Sequence, residues 1–274
     1  MYSKVYVEII NFCNKNCSFC PKTTREPQVM SIDNFETVLT KLKGLTEYVY
    51  YHVVGEPLMH PLLCDFIKLA KRNGFKSAIT TNGSLLDTKG DALIASGVYK
   101  VNISIHSFEG GDKEKHTEYL NTCLDFADKS SRSGVLTVLR LWNQGKDKGL
   151  NVSTVDMIKE RFGEFDKLSV RGARIRDKLH LEYGERFEWP DMSADDGGEN
   201  VFCYGLKDHF GILCDGTVIP CCLDRDGEIA LGNVFEAPLN EILSSPRASA
   251  IKNGFQHRKA TEELCRKCGY ARRF

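Results

Sequence analysis

The sequence predicts a parallel α/β fold. Six βα units fit a barrel left partly open rather than a closed ring of eight, and a small module of a β-hairpin and short helices follows. Three observations carry this. Short apolar runs of strand length alternate with segments whose apolar residues recur at helical spacing, from Lys4 to Arg171. A polar, Asp- and Gly-rich stretch interrupts the pattern within residues 175–200. Eleven cysteines gather mainly in a loop directly behind the first strand and again in the last quarter of the chain.

The elements follow in order. Lys4 to Ile10 alternates around Val5, Val7 and Ile9, a strand that runs into the cysteine loop. Phe35, Val38, Leu39 and Leu42 mark a helix over 33–43, with Ser31 or Asp33 as its cap. Tyr48 to Val54 is a second strand. His60-Pro61 opens a helix with proline at its first position, and Asn73-Gly74 ends it. Lys76 to Thr81 is a third strand turned by Asn82-Gly83, and Asp87 to Ala95 a short helix. Lys100 to Ser104, Val135 to Trp142 and Lys167 to Arg171 are the fourth, fifth and sixth strands. Between them lie helices over 112–131 and 153–162. In the last module, Asp215-Gly216 turns a hairpin between His209–Cys214 and Thr217–Ile219. Short helices are expected over 238–243 and 245–253. The resulting division is a barrel over 1–174, a linker over 175–200 and the module over 201–274.

Composition narrows the function. Acidic and basic residues balance at 37 each, so no electrostatic footprint for nucleic acid is expected. No run is long and apolar enough to span a bilayer, and the N-terminus lacks a signal peptide's apolar core. The odd number of cysteines and their clustering favour metal over a disulfide framework, and a reducing cytoplasm.

Cys13, Cys17 and Cys20 form a C-x-x-x-C-x-x-C run. Thiolates are the usual ligands of a four-iron cluster, and three of them leave one iron open for chemistry. Zinc normally takes four ligands in two paired knuckles, and no fourth Cys or His lies near this loop. A simple electron carrier is the other reading. The spacing resembles the cluster loop of the radical S-adenosylmethionine (SAM) superfamily, and Phe19 matches the aromatic residue usual before its third cysteine. That resemblance implies a partial (β/α)6, TIM-like barrel with a [4Fe–4S] cluster on Cys13, Cys17 and Cys20. Its open iron would be chelated by the SAM amine and carboxylate.

Other strand ends carry the resemblance further. Val54-Gly55-Glu56-Pro57 is similar to the family's Gly-Gly-Glu-Pro motif with Val54 for the first glycine, which implies that Gly55 and Glu56 hold the SAM amino group. On its own, Gly-Glu-Pro is a common turn. Asn82 and Ser104-Ile105-His106 match segments near the SAM ribose and carboxylate, and Arg140 offers a guanidinium fork for that carboxylate. A turn former, satisfied core groups and a surface ion pair are the plain alternatives.

The last module resembles the twitch domain, the short SPASM-type extension of some members. It implies an auxiliary [4Fe–4S] cluster on Cys203, Cys221, Cys265 and Cys268, with Cys222 as an alternative to Cys221. Four cysteines ending in C-x-x-C also suit zinc. The chain ends at Phe274 without the further cysteines of the full SPASM form, so a second auxiliary cluster is not expected. Cys214 and Cys222 are free thiols, either buried small hydrophobes or hydrogen-atom donors. Cys64 and Cys123 fall on apolar helix faces and read as core. Arg171, Arg174 and Arg176 form a solvated surface cluster or a clamp on an anionic substrate.

The resemblance implies reductive SAM cleavage to a 5′-deoxyadenosyl radical, hydrogen abstraction from a substrate carbon, and resolution of the substrate radical. The reductant would be of flavodoxin or ferredoxin type. A four-ligand auxiliary cluster suits electron transfer, so the expected reaction is two-electron oxidation of a polar metabolite such as a sugar or cyclitol alcohol. Peptide modification or epimerisation is the alternative, weakened by a first strand that begins by Lys4 with no leader-binding domain ahead of it. A non-catalytic iron–sulfur carrier or a zinc-stabilised interaction protein is the alternative of another class.

Overall fold

The computed structural model describes residues 1–109, 112–147, 149–165, 167–169 and 171–273. Among them, eleven strands form one sheet in the order β11-β10-β9-β1-β2-β3-β4-β5-β8-β7-β6. The central run is parallel: β9 (His209–Ile212), β1 (Lys4–Val7), β2 (Tyr48–Tyr50), β3 (Lys76–Thr81), β4 (Lys100–Ile103), β5 (Leu136–Gln144) and β8 (Leu179–Glu185). At one edge β10 (Thr217–Ile219) and β11 (Gly232–Asn233) add antiparallel strands, and at the other β7 (Gly172–Arg176) and β6 (Lys167–Ser169) do so. Among the described residues the two edges do not pair, so the barrel stays open as expected.

One face of this sheet is apolar and one is not. Val5, Val7, Val49, Ile79, Val101, Ile103, Leu139 and Leu181 point outward and are buried. They meet α1 (Ile32–Leu42), α2 (Leu63–Arg72), α3 (Leu86–Ala95), α4 (Lys113–Arg132) and α5 (Leu150–Phe162) in one core. Each such side chain contributes roughly 1.5–3 kcal/mol. Phe35 of α1 stacks on Phe66 of α2 at 4.4 Å between ring centres. Ser31 caps α1 by accepting from the Asn34 N–H. The opposite face lines the barrel interior and is rich in polar groups, unlike a parallel sheet covered on both sides.

Two expectations need correcting. The sixth parallel strand is β8, not 167–171; of that span, Val170 lies outside the described residues, and β6 sits at the sheet edge. Leu179, Leu181 and Tyr183 alternate with His180 and Glu182, so the strand occupies the start of the stretch read as a linker. Lys178, in left-handed conformation at φ 60°, turns β7 into β8. Second, α2 begins at Leu63, after Pro61 rather than on it. The C-terminal module also joins the barrel: β9 pairs with β1 over Lys4↔His209 to Val7↔Ile212. Its helices are α6 (Leu239–Leu243), α7 (Pro246–Gln256) and α8 (Glu263–Arg266).

Candidate metal centre and active site

The cysteine loop leaves the C-terminal end of β1. Asn11 closes its neck: its side chain donates to the Glu26 carbonyl at 2.8 Å and accepts from the Gln28 N–H at 2.7 Å. Cys13, Cys17 and Cys20 are half-buried and line a cavity of about 890 Å³. Cys13 Sγ accepts from the Lys15 N–H at 3.4 Å and the Asn82 amide at 3.5 Å. Burial pushes the Cys17 thiol up to about 11; a bound metal replaces such a proton. Ser18 is held by Glu109 through both its N–H and its hydroxyl. From the other side, Asp226 accepts from the Thr23 hydroxyl at 2.6 Å and the Thr24 N–H at 2.8 Å, tying the loop to the C-terminal module.

The strand ends meet this loop. Gly55, at φ +81°, packs so close to it that a Cβ would overlap the Ile10 carbonyl oxygen. The next N–H, of Glu56, donates to the Phe12 carbonyl at 3.0 Å. Glu56 is buried, and its oxygens accept from the Leu58 and Asn82 N–H groups at 3.0 and 2.7 Å. It therefore braces the ends of β2 and β3. Burial raises its pKa, and those two N–H groups work against the rise. Asn82 reaches the loop through Asn14 at 2.9 Å as well as Cys13. Phe19 lies against His106 at 5.0 Å between ring centres. His106 Nδ1 is 2.9 Å from the Arg140 carbonyl, and burial lowers its pKa to about 4. The Arg140 guanidinium pairs with Glu182 at 3.0 Å and stacks over Trp142, so it is already partnered. Gly55, Glu56, Asn82, Ser104, His106, Arg140 and Phe19 all line the cavity that holds the three cysteines.

Cys203, Cys221, Cys265 and Cys268 line the same cavity. The nearness of Cys203, Cys222, Cys265 and Cys268, after burial, raises the Cys221 pKa, which places these sulfurs as neighbours. Among the described residues no three His, Cys, Asp or Glu side chains are gathered around one point as a single-ion cage. The donor set of three plus four thiols bordering one cavity fits two iron–sulfur clusters.

The remaining cysteines separate. Cys222 borders the cavity, with burial raising its thiol to about 11. Cys214 does not; its thiol donates to the Glu8 carbonyl at 3.2 Å, beside a buried ion pair of Glu8 with Arg25 at 2.7 Å. Cys123 is core, whereas Cys64 is only half-buried. Arg171, Arg174 and Arg176 stay outside the cavity: Arg176 pairs with Asp128 and Arg174 with Asp177. The sequence reading missed the polar inner face, including Lys4, Tyr6, Tyr50, His52, Lys100, Glu182 and His209. Its signal was present as polar residues two apart, in Lys4-x-Tyr6, Tyr50-x-His52 and Lys100-x-Asn102-x-Ser104.

Similarity to known proteins agrees with this geometry. A GTP 3′,8-cyclase of Chlorobaculum tepidum is 34% identical over 117 residues, 41% of this chain and 34% of that protein. The chain thus spans about a third of that relative's length. The S-adenosyl-L-methionine-dependent 2-deoxy-scyllo-inosamine dehydrogenase of Niallia circulans is 22% identical over 98% of this chain and 93% of its own. The crystal structure of BtrN in complex with AdoMet and 2-DOIA superposes with a TM-score of 0.62 at 19% identity, covering 98% of this chain and 93% of that one, a likeness of fold. Residues 203–269 match SPASM, an iron–sulfur cluster-binding domain. Residues 7–160, more than half of the chain, match the other domain the cysteine loop pointed to, and the protein belongs to the radical SAM superfamily, with SAM, a [4Fe–4S] cluster and an auxiliary iron–sulfur cluster as its cofactors.

Proposed function

We propose that the chain is a radical SAM oxidoreductase that carries out a two-electron oxidation of a polar metabolite, such as an alcohol of a sugar or cyclitol. The observation that carries this reading is the single cavity bordered by both cysteine sets, with a polar barrel face between. Cys13, Cys17 and Cys20 would hold the SAM-binding cluster, and Cys203, Cys221, Cys265 and Cys268 the auxiliary one. When bound, the first cluster and SAM supply a carbon-centred radical that removes a hydrogen atom from substrate.

The chain's own residues position and shield. Gly55 lets the β2 end approach the cysteine loop, and Glu56 and Asn82 hold β2, β3 and that loop in one arrangement. Phe19 and His106 cover the loop with aromatic surface. Four thiols satisfy four irons, which leaves no open position for substrate and suits the auxiliary set to electron transfer. The similarity to a dehydrogenase over nearly all of both chains supports the reaction class. A reductant of flavodoxin or ferredoxin type and a cytoplasmic setting complete the reading.

The test is incubation of the reduced, reconstituted protein with SAM and candidate alcohols. The expected result is 5′-deoxyadenosine together with a product two hydrogens lighter than substrate and free of solvent deuterium. A product of unchanged mass that gains one deuteron in heavy water would make the chain an epimerase. Absence of 5′-deoxyadenosine would overturn the reading altogether.

A further inference from the structure

The inner face of the barrel carries more positive charge than its own carboxylates neutralise. Strand register puts Lys4, Tyr6, Tyr50, Lys100, Arg140, Glu182 and His209 on that one face. All of them line the cavity. Arg140 has its counter-charge in Glu182 at 3.0 Å. Lys4 and Lys100 have no such contact: among the described residues neither ammonium has a carboxylate within 4.0 Å, although Glu182 and Asp208 also border the cavity. Lys4 stands over the Tyr6 and Tyr50 rings at 5.7 and 5.6 Å, a contact that serves a cation without neutralising it. Both lysines are half-buried. Burial and the charges of Arg140 and Lys4 lower the Lys100 pKa against the opposing pull of Glu182, whose ion pair is with Arg140. His52 is kept neutral by burial, Arg140 and Lys4, and His209 by burial and Lys4.

Withdrawing two ammonium groups from water without a counter-ion is costly, and a cavity that keeps them is suited to a ligand that brings the missing charge. We propose that Lys4 and Lys100 receive an anionic group of the substrate, a phosphoryl or carboxylate, on the inner face of the barrel. The substrate of the oxidation is then an alcohol that also carries that anion. This rests on reading the cavity as the substrate site. Tyr6, Tyr50, His52 and His209 border the same cavity with groups able to hydrogen-bond to hydroxyls.

The test reads binding and requires no turnover. The reconstituted chain is acetylated at low ionic strength with and without inorganic phosphate, and each lysine is quantified by mass spectrometry. Phosphate should protect Lys4 and Lys100 while surface lysines such as Lys113 are unaffected. Neutral myo-inositol at the same concentration should not protect them. Succinate in place of phosphate decides which anion fits better, and protection by either supports the proposal. In equilibrium dialysis Lys4→Gln and Lys100→Gln should each bind phosphate about tenfold more weakly, the size of one charge-assisted hydrogen bond. Lys100→Arg should retain binding. Equal protection by myo-inositol, or no protection by either anion, would overturn the proposal. So would protection by SAM alone with nothing added by phosphate, because the anion would then be the SAM carboxylate. Failure of the wild-type chain to form 5′-deoxyadenosine would strike the radical reading and leave this binding result intact.

Discussion

Gly55→Ala tests how the cysteine loop is positioned. Gly55 is at φ +81°, where an L-residue costs about 1–2 kcal/mol. A Cβ would also overlap the Ile10 carbonyl oxygen and stand 3.1 Å from that of Phe12, both backbone atoms that cannot swing aside. Relief requires the loop to withdraw from the end of β2, which breaks the Glu56 N–H bond to Phe12, worth about 1 kcal/mol net. The total is about 2–3 kcal/mol, with the displacement delivered at the residue before Cys13. Gly44→Ala is the internal control: its φ is +79° and nothing lies within 4 Å of its Cβ position. It should show the backbone cost alone, a drop in Tm of about 2–4 °C per kcal/mol. We expect Gly55→Ala to melt lower than Gly44→Ala and to hold less iron at the N-terminal site after anaerobic reconstitution. Equal melting temperatures and full iron content in both variants would refute the claim that this close approach seats the loop.

Four further outcomes are expected. Cys13→Ala, Cys17→Ala and Cys20→Ala should each abolish SAM cleavage while iron bound by the C-terminal set persists; full cleavage by any one of them contradicts the assignment. Glu56→Gln should weaken SAM binding and destabilise the strand ends by roughly 1.5–3 kcal/mol, because an amide cannot offer both oxygens to the Leu58 and Asn82 N–H groups; isothermal titration and urea melts read the two effects. Burial, reinforced by Arg140 and Lys4, holds His52 at about 3, and burial holds His106 and His209 each at about 4. Folded pKa values below the unfolded one mean that the unfolded chain takes up protons first. Stability is therefore fully present above about pH 6.5 and is lost as pH falls toward 4, by up to about 1.4 kcal/mol per pH unit for each histidine. His52→Phe should make the urea midpoint fall less between about pH 6.5 and about pH 4 than in the wild-type chain, and an equal or greater fall in the variant would contradict the sign. Asp224, whose carboxyl burial pushes up to about 6, works the other way in both chains. Phe35→Ala should cost about 3–5 kcal/mol through loss of its stack on Phe66, read as a lowered urea midpoint.

The α/β class and the loop of Cys13, Cys17 and Cys20 were legible in the chain itself, because each rests on local spacing. Strand and helix periods differ, so Val5-x-Val7-x-Ile9 and Phe35/Val38/Leu39/Leu42 announce their elements without any partner. Three cysteines within eight residues lie in one loop whatever the rest of the chain does. Pairing was not legible. The spacing offered 167–171 as the sixth barrel strand, but the strand that pairs with the edge of β5 is β8, inside the stretch read as a linker. That β9 closes against β1, making the C-terminal module part of the barrel sheet, is likewise a contact between residues about 200 apart.

Side-chain partners were further out of reach. Arg140 could be read as an anion binder from its residue type, but only the register Arg140↔Glu182 reveals that its charge is already matched. The two lysines with no carboxylate in contact emerge for the same reason. Whether a charge is balanced depends on what lies across the barrel, a distance in space that the order of residues along a chain does not encode.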